Sequence, residues 1–474
     1  MQTPTSFLRS LAVAAALLAL MPACDVLNQE PPASLTPDQA FSTPERIEKV
    51  AISMYDALQN PEFLGGRALI YSDVRSDDTD PSPYFNPIAN FTVLANDAQV
   101  TYGWTGGYRT IYGANFFLQN FEPNANLVST ELTAQYRGEA KFIRALTMFH
   151  LVNLFAQPYT FTADASHPGI PIQLTAPDAV SAYDESQRLP RSSVRDVYAQ
   201  IITDLTDAAN GLPTDYGDPA YSDVARATKG AAQALLSRVY LYQGNYTQAA
   251  ALANTLITSG NYSLNDDPRT TFSPPYATSE SIFSVAMNTS DNPNTNNALG
   301  QHYNPGGRGD ITISPYAAIP TAQFPADDER RTNLITISSN IPYTAKYRST
   351  GDWVPIARYP EVLLTRAEAL TRTNGPNQES VDLLNQVRSR STSATPYTLA
   401  GFADAQALLD AILLERRLEL AFEGHRFYDL LRTKQSIPAR GTAPAVPYGD
   451  NRLVLPIPQI DLQNNPNLVQ NPGY

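Results

Sequence analysis

With a single cysteine, Cys24, this 474-residue chain can form no internal disulfide and no multi-thiolate metal site, so its fold must rest on packing. Four histidines, His150, His167, His302 and His425, stand far apart, with no HExxH pair among them, which leaves a metal centre little support. Cations are scarce as well. Thirty-three Lys and Arg face 46 Asp and Glu, a net charge of −13, and no concentrated basic run exists to hold nucleic acid. Beyond residue 20 no apolar run approaches the roughly 20 residues that a membrane-spanning helix needs. A glycine-rich phosphate loop, a Gly-x-Ser-x-Gly elbow and a Cys/His dyad are all missing, and no cofactor is implied.

What the chain does have begins at its start. The apolar stretch Leu11–Leu20 follows one basic residue, Arg9, and is too short to cross a bilayer, so residues 1–23 read as a cleavable export signal. Cys24 follows Met21-Pro22-Ala23 directly. A small residue before a lone cysteine resembles a bacterial lipoprotein signal, in which the thiol is acylated and becomes the new N-terminus. Residues 24–474 would then carry 32 basic and 46 acidic side chains, a charge of −14 that favours solubility. Attachment to a membrane would come from acyl chains, each buried methylene contributing about 0.8 kcal/mol.

Thirty-eight prolines cluster with Asn, Asp, Ser and Gly at Pro274-Pro275, Asp291–Asn297 and Asn304–Asp310, which predicts long surface loops. Between them the periodicity is helical. Glu139–Phe155 is apolar on most of its circumference, as an inner helix would be. Ser193–Asn210 opens on an N-cap serine, with Gly211 as its stop. Thr228–Tyr242, the turn Gln243-Gly244-Asn245, and Tyr246–Thr258 read as a tetratricopeptide-like hairpin. Pro360–Leu370 and Glu379–Arg390, parted by Asn374-Gly375-Pro376, read as another. Ser281–Ala286 and Asn451–Ile457 look extended. The expected fold is mainly α: tetratricopeptide-like helical hairpins in an α-α superhelix, with long irregular loops and few short strands.

The segment Glu415–Arg432, ERRLELAFEGHRFYDLLR, resembles the SusD/RagB family. The likeness continues through Gly138–Leu154, Arg226–Asn245, Arg358–Ala369 and the tail from Leu455 to Tyr474, and so spans nearly all of residues 24–474. The resemblance implies a SusD-like region over about 24–230 and a RagB/SusD region over about 280–474, within one compact unit. It further implies a surface-exposed, lipid-anchored protein of the outer membrane that binds rather than catalyses. Helices would form one face and loops the ligand face. Such a protein captures an oligosaccharide, or in some members a peptide, for a SusC-like TonB-dependent transporter.

Within the same segment, Glu415, Glu419 and Glu423 recur four apart, and a carboxylate pair at this spacing could reach the about 5–9.5 Å separations of glycoside hydrolases. Arg416, Arg417 and Arg426 are interleaved, which favours ionised, structural carboxylates over a catalytic acid, and Gly424 reads as the helix C-cap. Asp77-Asp78-Thr79-Asp80 lacks the rest of a calcium loop and reads as a solvated acidic turn. Sugars stack on aromatic rings. The ligand candidates are therefore the loop residues Tyr84, Phe85, Phe272, Tyr276, Tyr303 and Tyr316, with Asn86, Asn304, Arg308 and Asp310 as hydrogen-bonding partners. Trp104, Tyr108 and Asn115 are assigned to the fold.

Overall fold

The computed structural model describes residues 35–178, 180–217 and 221–474; the expected export signal and Cys24 lie outside them. Side-chain caps set where most of the long helices begin. Thr43 accepts a backbone N–H at the start of α1 (Pro44–Leu58), as do Asp97 before α2 (Ala98–Phe121), Ser129 before α3 (Thr130–Phe155) and Ser193 before α4 (Val194–Gly211). Thr228 and Asn245 cap α5 (Lys229–Gln243) and α6 (Tyr246–Ser259), and Gly244 between them takes the left-handed conformation, φ 81°, that lets the chain reverse. Each such N-cap contributes about 1 kcal/mol. Helix α7 (Tyr359–Asn374) ends at Gly375, α8 (Gln378–Ser391) is capped by Asn377, and α9 (Ala405–Glu419) by Asp404.

These helices pack in chain order from α1 to α7, and α8 and α9 both lie against α7. The expected hairpins are therefore present and stacked. Helix α3 sits inside the array. Its Phe142, Ile143, Leu146, Leu151 and Phe155 are buried, each worth about 1.5–3 kcal/mol over leaving it in water. Gly107 of α2 allows α3 to approach, since a Cβ there would fall 2.6 Å from Cδ2 of Leu151. Ion pairs stitch the layers: Arg144 of α3 binds Asp204 of α4 at 2.7 Å, and Arg238 of α5 binds Glu361 of α7.

Strand β1 (Ser281–Val285) pairs antiparallel with β4 (Val354–Arg358), while β2 (Ile335–Ser338) and β3 (Ile341–Thr344) form a hairpin turned at Ser339 and Asn340, both at positive φ. Asn451–Ile457 departs from its extended reading: Asp450 caps a short 3-10 turn, Asn451–Leu453, before the chain straightens. Among the described residues no helix is long and apolar enough to cross a membrane. The segments between helices bond to the array and to one another: Asp78 accepts from Arg417 of α9, Asn304 donates to the carbonyl of Arg348, and the N–H of Gln459 donates to the carbonyl of Ala95.

Candidate ligand-binding site

Three of the ligand residues chosen from sequence, Tyr84, Arg308 and Asp310, meet on the loop side. The guanidinium of Arg308 lies over the ring of Tyr84, 4.2 Å from its centroid, and its Nε donates to Asp310 at 2.7 Å. Arg67 approaches the same ring, and its Nη2 donates to the Tyr84 hydroxyl at 3.1 Å. Beside them a chain of hydrogen bonds links two further candidates, Asn304 and Tyr276. Asn304 donates to the carbonyl of Arg348 at 2.8 Å, Arg348 donates to Ser273, and Asp352 accepts from Tyr276 at 2.7 Å and from Ser349. Segment 81–87 thus meets 301–310 directly, and 301–310 joins 272–276 through residues 348–352. Tyr84 and Tyr276 are half-buried there, and Asn86 and Arg308 are exposed.

Other candidates are displaced from any ligand. Phe85, Phe272, Tyr303 and Tyr316 are buried, so none offers a ring face to solution. Tyr303 donates to Asp73 at 2.6 Å and Tyr316 to the carbonyl of Leu418 at 3.0 Å, and both rings pack on Phe422. The physical reason is that these loops fold back onto the hydrophobic core they share with the helices, and their aromatic side chains fill it. The sequence reading also missed two rings. Trp353 stacks on Tyr276 at 5.4 Å, and Tyr221, 56% exposed, meets its edge at 5.3 Å. Trp353 stands directly before β4 and the Arg358–Ala369 motif, a position that reads as framework.

The Glu/Arg segment is a buried ion network. Glu415, Glu419 and Glu423 are at most 5% exposed. Arg330 binds Glu415 at 2.6 Å, Glu419 at 3.1 Å and Asp328 at 2.7 Å; Arg390 and Arg358 also bind Glu419, while Arg358 and Lys346 bind Glu423. Burial pushes the Glu419 carboxyl up, but Arg390, Arg358 and Arg330 together outweigh it and hold the group well below the usual carboxylate range. Glu423 is lowered in the same way, whereas at Glu415 burial prevails and raises it. No sugar can reach these groups.

Two expectations about this segment need correction. Helix α9 stops at Glu419, so Glu423 lies beyond the stripe, and Gly424 is not the C-cap. Its φ of 78° serves a tight junction instead: the N–H of Gly424 donates to Asp73 at 3.0 Å, and its carbonyl accepts from Ser72. The acidic turn is not solvated either. Arg417 and Arg426 pair with Asp77 and Asp78, and Asp78 is 1% exposed. Arg416, fully buried, binds Glu361 and Asp429.

Residues 233–474 match the family model described as the SusD family, and residues 25–241 match one described as starch-binding associating with outer membrane. SusD-like protein P2 of Formosa agariphila is 27% identical over 97% of this chain and 98% of its own length. A SusD superfamily protein from Bacteroides fragilis is 30% identical, with a TM-score of 0.80 over 90% of this chain and 99% of the other. A SusD-like carbohydrate binding protein from Bacteroides vulgatus, 20% identical, shares the fold at a TM-score of 0.74 over 90% of this chain and 97% of its own. Stacked helical hairpins, a loop side with joined rings and a charge network in the signature segment thus accompany matches that together span residues 25–474, and the chain belongs to the SusD family.

Proposed function

We propose that this protein captures an oligosaccharide on its loop side at the outer membrane, held there by acylated Cys24, and delivers it to a SusC-like TonB-dependent transporter. The observation that carries the reading is the joined surface from Tyr84 and Arg308 through Asn304 and Asp352 to Tyr276. It combines half-buried rings, which suit the C–H faces of sugars, with exposed amide and guanidinium donors for hydroxyls. Stacking and single hydrogen bonds are individually modest, so affinity for a short glycan is expected between micromolar and millimolar, about −8 to −4 kcal/mol. Binding without turnover is supported by the burial and ion pairing of Glu415, Glu419 and Glu423, none of which is placed to protonate a leaving group.

Titration calorimetry against a panel of oligosaccharides and peptides tests this. Tyr84→Ala, Tyr276→Ala and Arg308→Ala, each with unchanged circular dichroism, should weaken binding of the glycan that wild type prefers. Wild-type affinity in all three, or product release from the panel, would sink the proposal, and peptides bound in place of glycans would change the ligand class. Cys24→Ser should release the folded protein from outer membranes of cells that lack the transporter, and retention there would refute the anchor.

A further inference from the structure

Helix α2 carries Trp104, Tyr108 and Tyr112 four residues apart, so the three rings share one face and succeed each other about 6 Å along the axis. The Trp104 and Tyr108 centroids are 4.8 Å apart, and Tyr112 is 42% exposed. This stripe lines a cleft of about 690 Å³. Its walls are tied together: the Tyr108 hydroxyl donates to the carbonyl of Pro171 at 2.9 Å, and Asn465 donates to that of Leu189 at 2.9 Å. The lining residues of the cleft do not overlap the Tyr84–Arg308 surface.

Two arginines open into the same space from different walls, Arg109 on α2 and Arg188 on the opposite segment, and both are exposed. Among the described residues every other arginine side chain has a hydrogen-bond or ion-pair partner; the guanidinium groups of these two have none, Arg188 being held only through its backbone, whose carbonyl accepts from Asn467. The one acid among the described residues that line the cleft, Asp461, lies beside Trp104 and makes no ion pair with either arginine. In a chain of net charge −13 this cleft has two unpaired guanidinium groups against a single lining acid. A guanidinium is planar and matches a carboxylate or a sulfate with two parallel N–H donors. Rings at sugar-repeat spacing with a free cation on either side fit a ligand that is both ring-faced and anionic.

We propose that the cleft is a second ligand site, separate from the Tyr84–Arg308 surface, and that it takes an oligosaccharide bearing carboxylate or sulfate groups. The rings of Tyr108 and Tyr112 would carry the sugar faces, while Arg109 and Arg188 pair with its anionic substituents. The ligand class rests on the carbohydrate reading above; the location rests on the cleft alone.

The test is titration calorimetry of the full mature chain with three probes: a galacturonic acid tetrasaccharide, a sulfated galactan tetrasaccharide and neutral maltotetraose. At least one charged probe should bind roughly tenfold or more tighter than the neutral one, a difference the joint change Arg109→Ala and Arg188→Ala should abolish. Both side chains are exposed and unpartnered, so the fold should be unaffected, as circular dichroism would verify. Tyr112→Ala should weaken the same probe, and whichever charged probe prevails identifies carboxylate or sulfate as the group recognised. Equal binding of charged and neutral probes, or undiminished binding by the double variant, overturns the proposal. If charged-probe binding is lost in Arg308→Ala yet kept in the double variant, the ligand lies on the loop surface, and the carbohydrate reading survives without the cleft. If wild type binds none of the three probes and no member of the wider panel, both readings fall.

Discussion

Replacing Glu419 by Gln keeps the shape of the side chain and removes the charge on which three guanidinium groups converge. Arg330 at 3.1 Å, Arg358 at 3.0 Å and Arg390 at 2.6 Å would then face a neutral amide whose NH2 end repeats their own polarity. Glu419 is 3% exposed, so water cannot take the place of the lost carboxylate. Breaking one partner out of a buried network costs about 3–5 kcal/mol. An unfolding entropy of about 2.1 cal/mol/K per residue over roughly 450 residues gives about 0.9 kcal/mol/K, so Tm should fall by about 3–5 °C. Glu379→Gln supplies the contrast, because its pair with Arg366 has the same short distance, 2.6 Å, with the carboxylate side chain 51% exposed. An exposed pair contributes about 0–1 kcal/mol, so that variant should melt within about 1 °C of wild type. Scanning calorimetry on the three proteins decides it. Should Glu419→Gln melt as high as Glu379→Gln, the network does not stabilise the native state and its buried geometry has been misjudged.

Acid should destabilise the fold in a defined window. Burial raises the Glu368 carboxyl, but Arg432 and Arg372 outweigh it and bring it down to about 2, and Glu361, Glu419, Glu423 and Asp429 are also lowered. The stability they contribute is present above the ordinary value of about 4.5 and is lost as pH falls toward 2, with Glu415, which is raised, acting in the opposite sense. A melting temperature unchanged between pH 6 and pH 3 would contradict this. Gly300→Ala should both lower Tm and weaken glycan binding on the loop surface, since a Cβ there would lie 2.2 Å from the carbonyl oxygen of Ser349 and push residues 299–303 away from the loop that joins Asn304 to Tyr276. Unaltered calorimetric binding would show that this surface tolerates the separation. Gly107→Ala should cost about 1–3 kcal/mol by forcing α2 from Leu151, readable as an earlier midpoint in urea.

Local signals were legible because they act within a few residues. Thr228, Gly244 and Asn245 mark the ends of α5 and α6 through bonds to their immediate neighbours, and a residue-by-residue reading finds them. The Glu/Arg segment was recognisable as structural for the same reason, but its partners were not. Arg330, Lys346 and Arg358 lie 61–89 positions before the glutamates they bind, and nothing in local spacing connects them. The aromatic residues failed differently. Tyr303 and Tyr316 stand in proline- and asparagine-rich surroundings that signal irregular backbone, yet irregular backbone is not exposed backbone, and Phe422 draws both rings inward. Trp104 is helical and buried, as its surroundings in the sequence indicate, but helical periodicity alone does not show that Tyr108 and Tyr112 on the same face line a cleft.

Dissolved ions should act unequally on the two populations of arginine. Those in the core, such as Arg330, Arg358 and Arg416, are almost wholly out of reach of solvent, so their attractions lie beyond the range of screening by the medium. Arg109 and Arg188 stand in the open, where at about 0.15 M ionic strength the Debye length is about 8 Å and every added mobile ion dilutes their pull. Ionic strength thereby becomes a dial that turns only one of the two functions. As salt rises, the protein should hold its shape while its grip on charged ligand loosens, so that a cell could have cargo eluted from the cleft by a change in its surroundings without any rearrangement of the molecule that carries it.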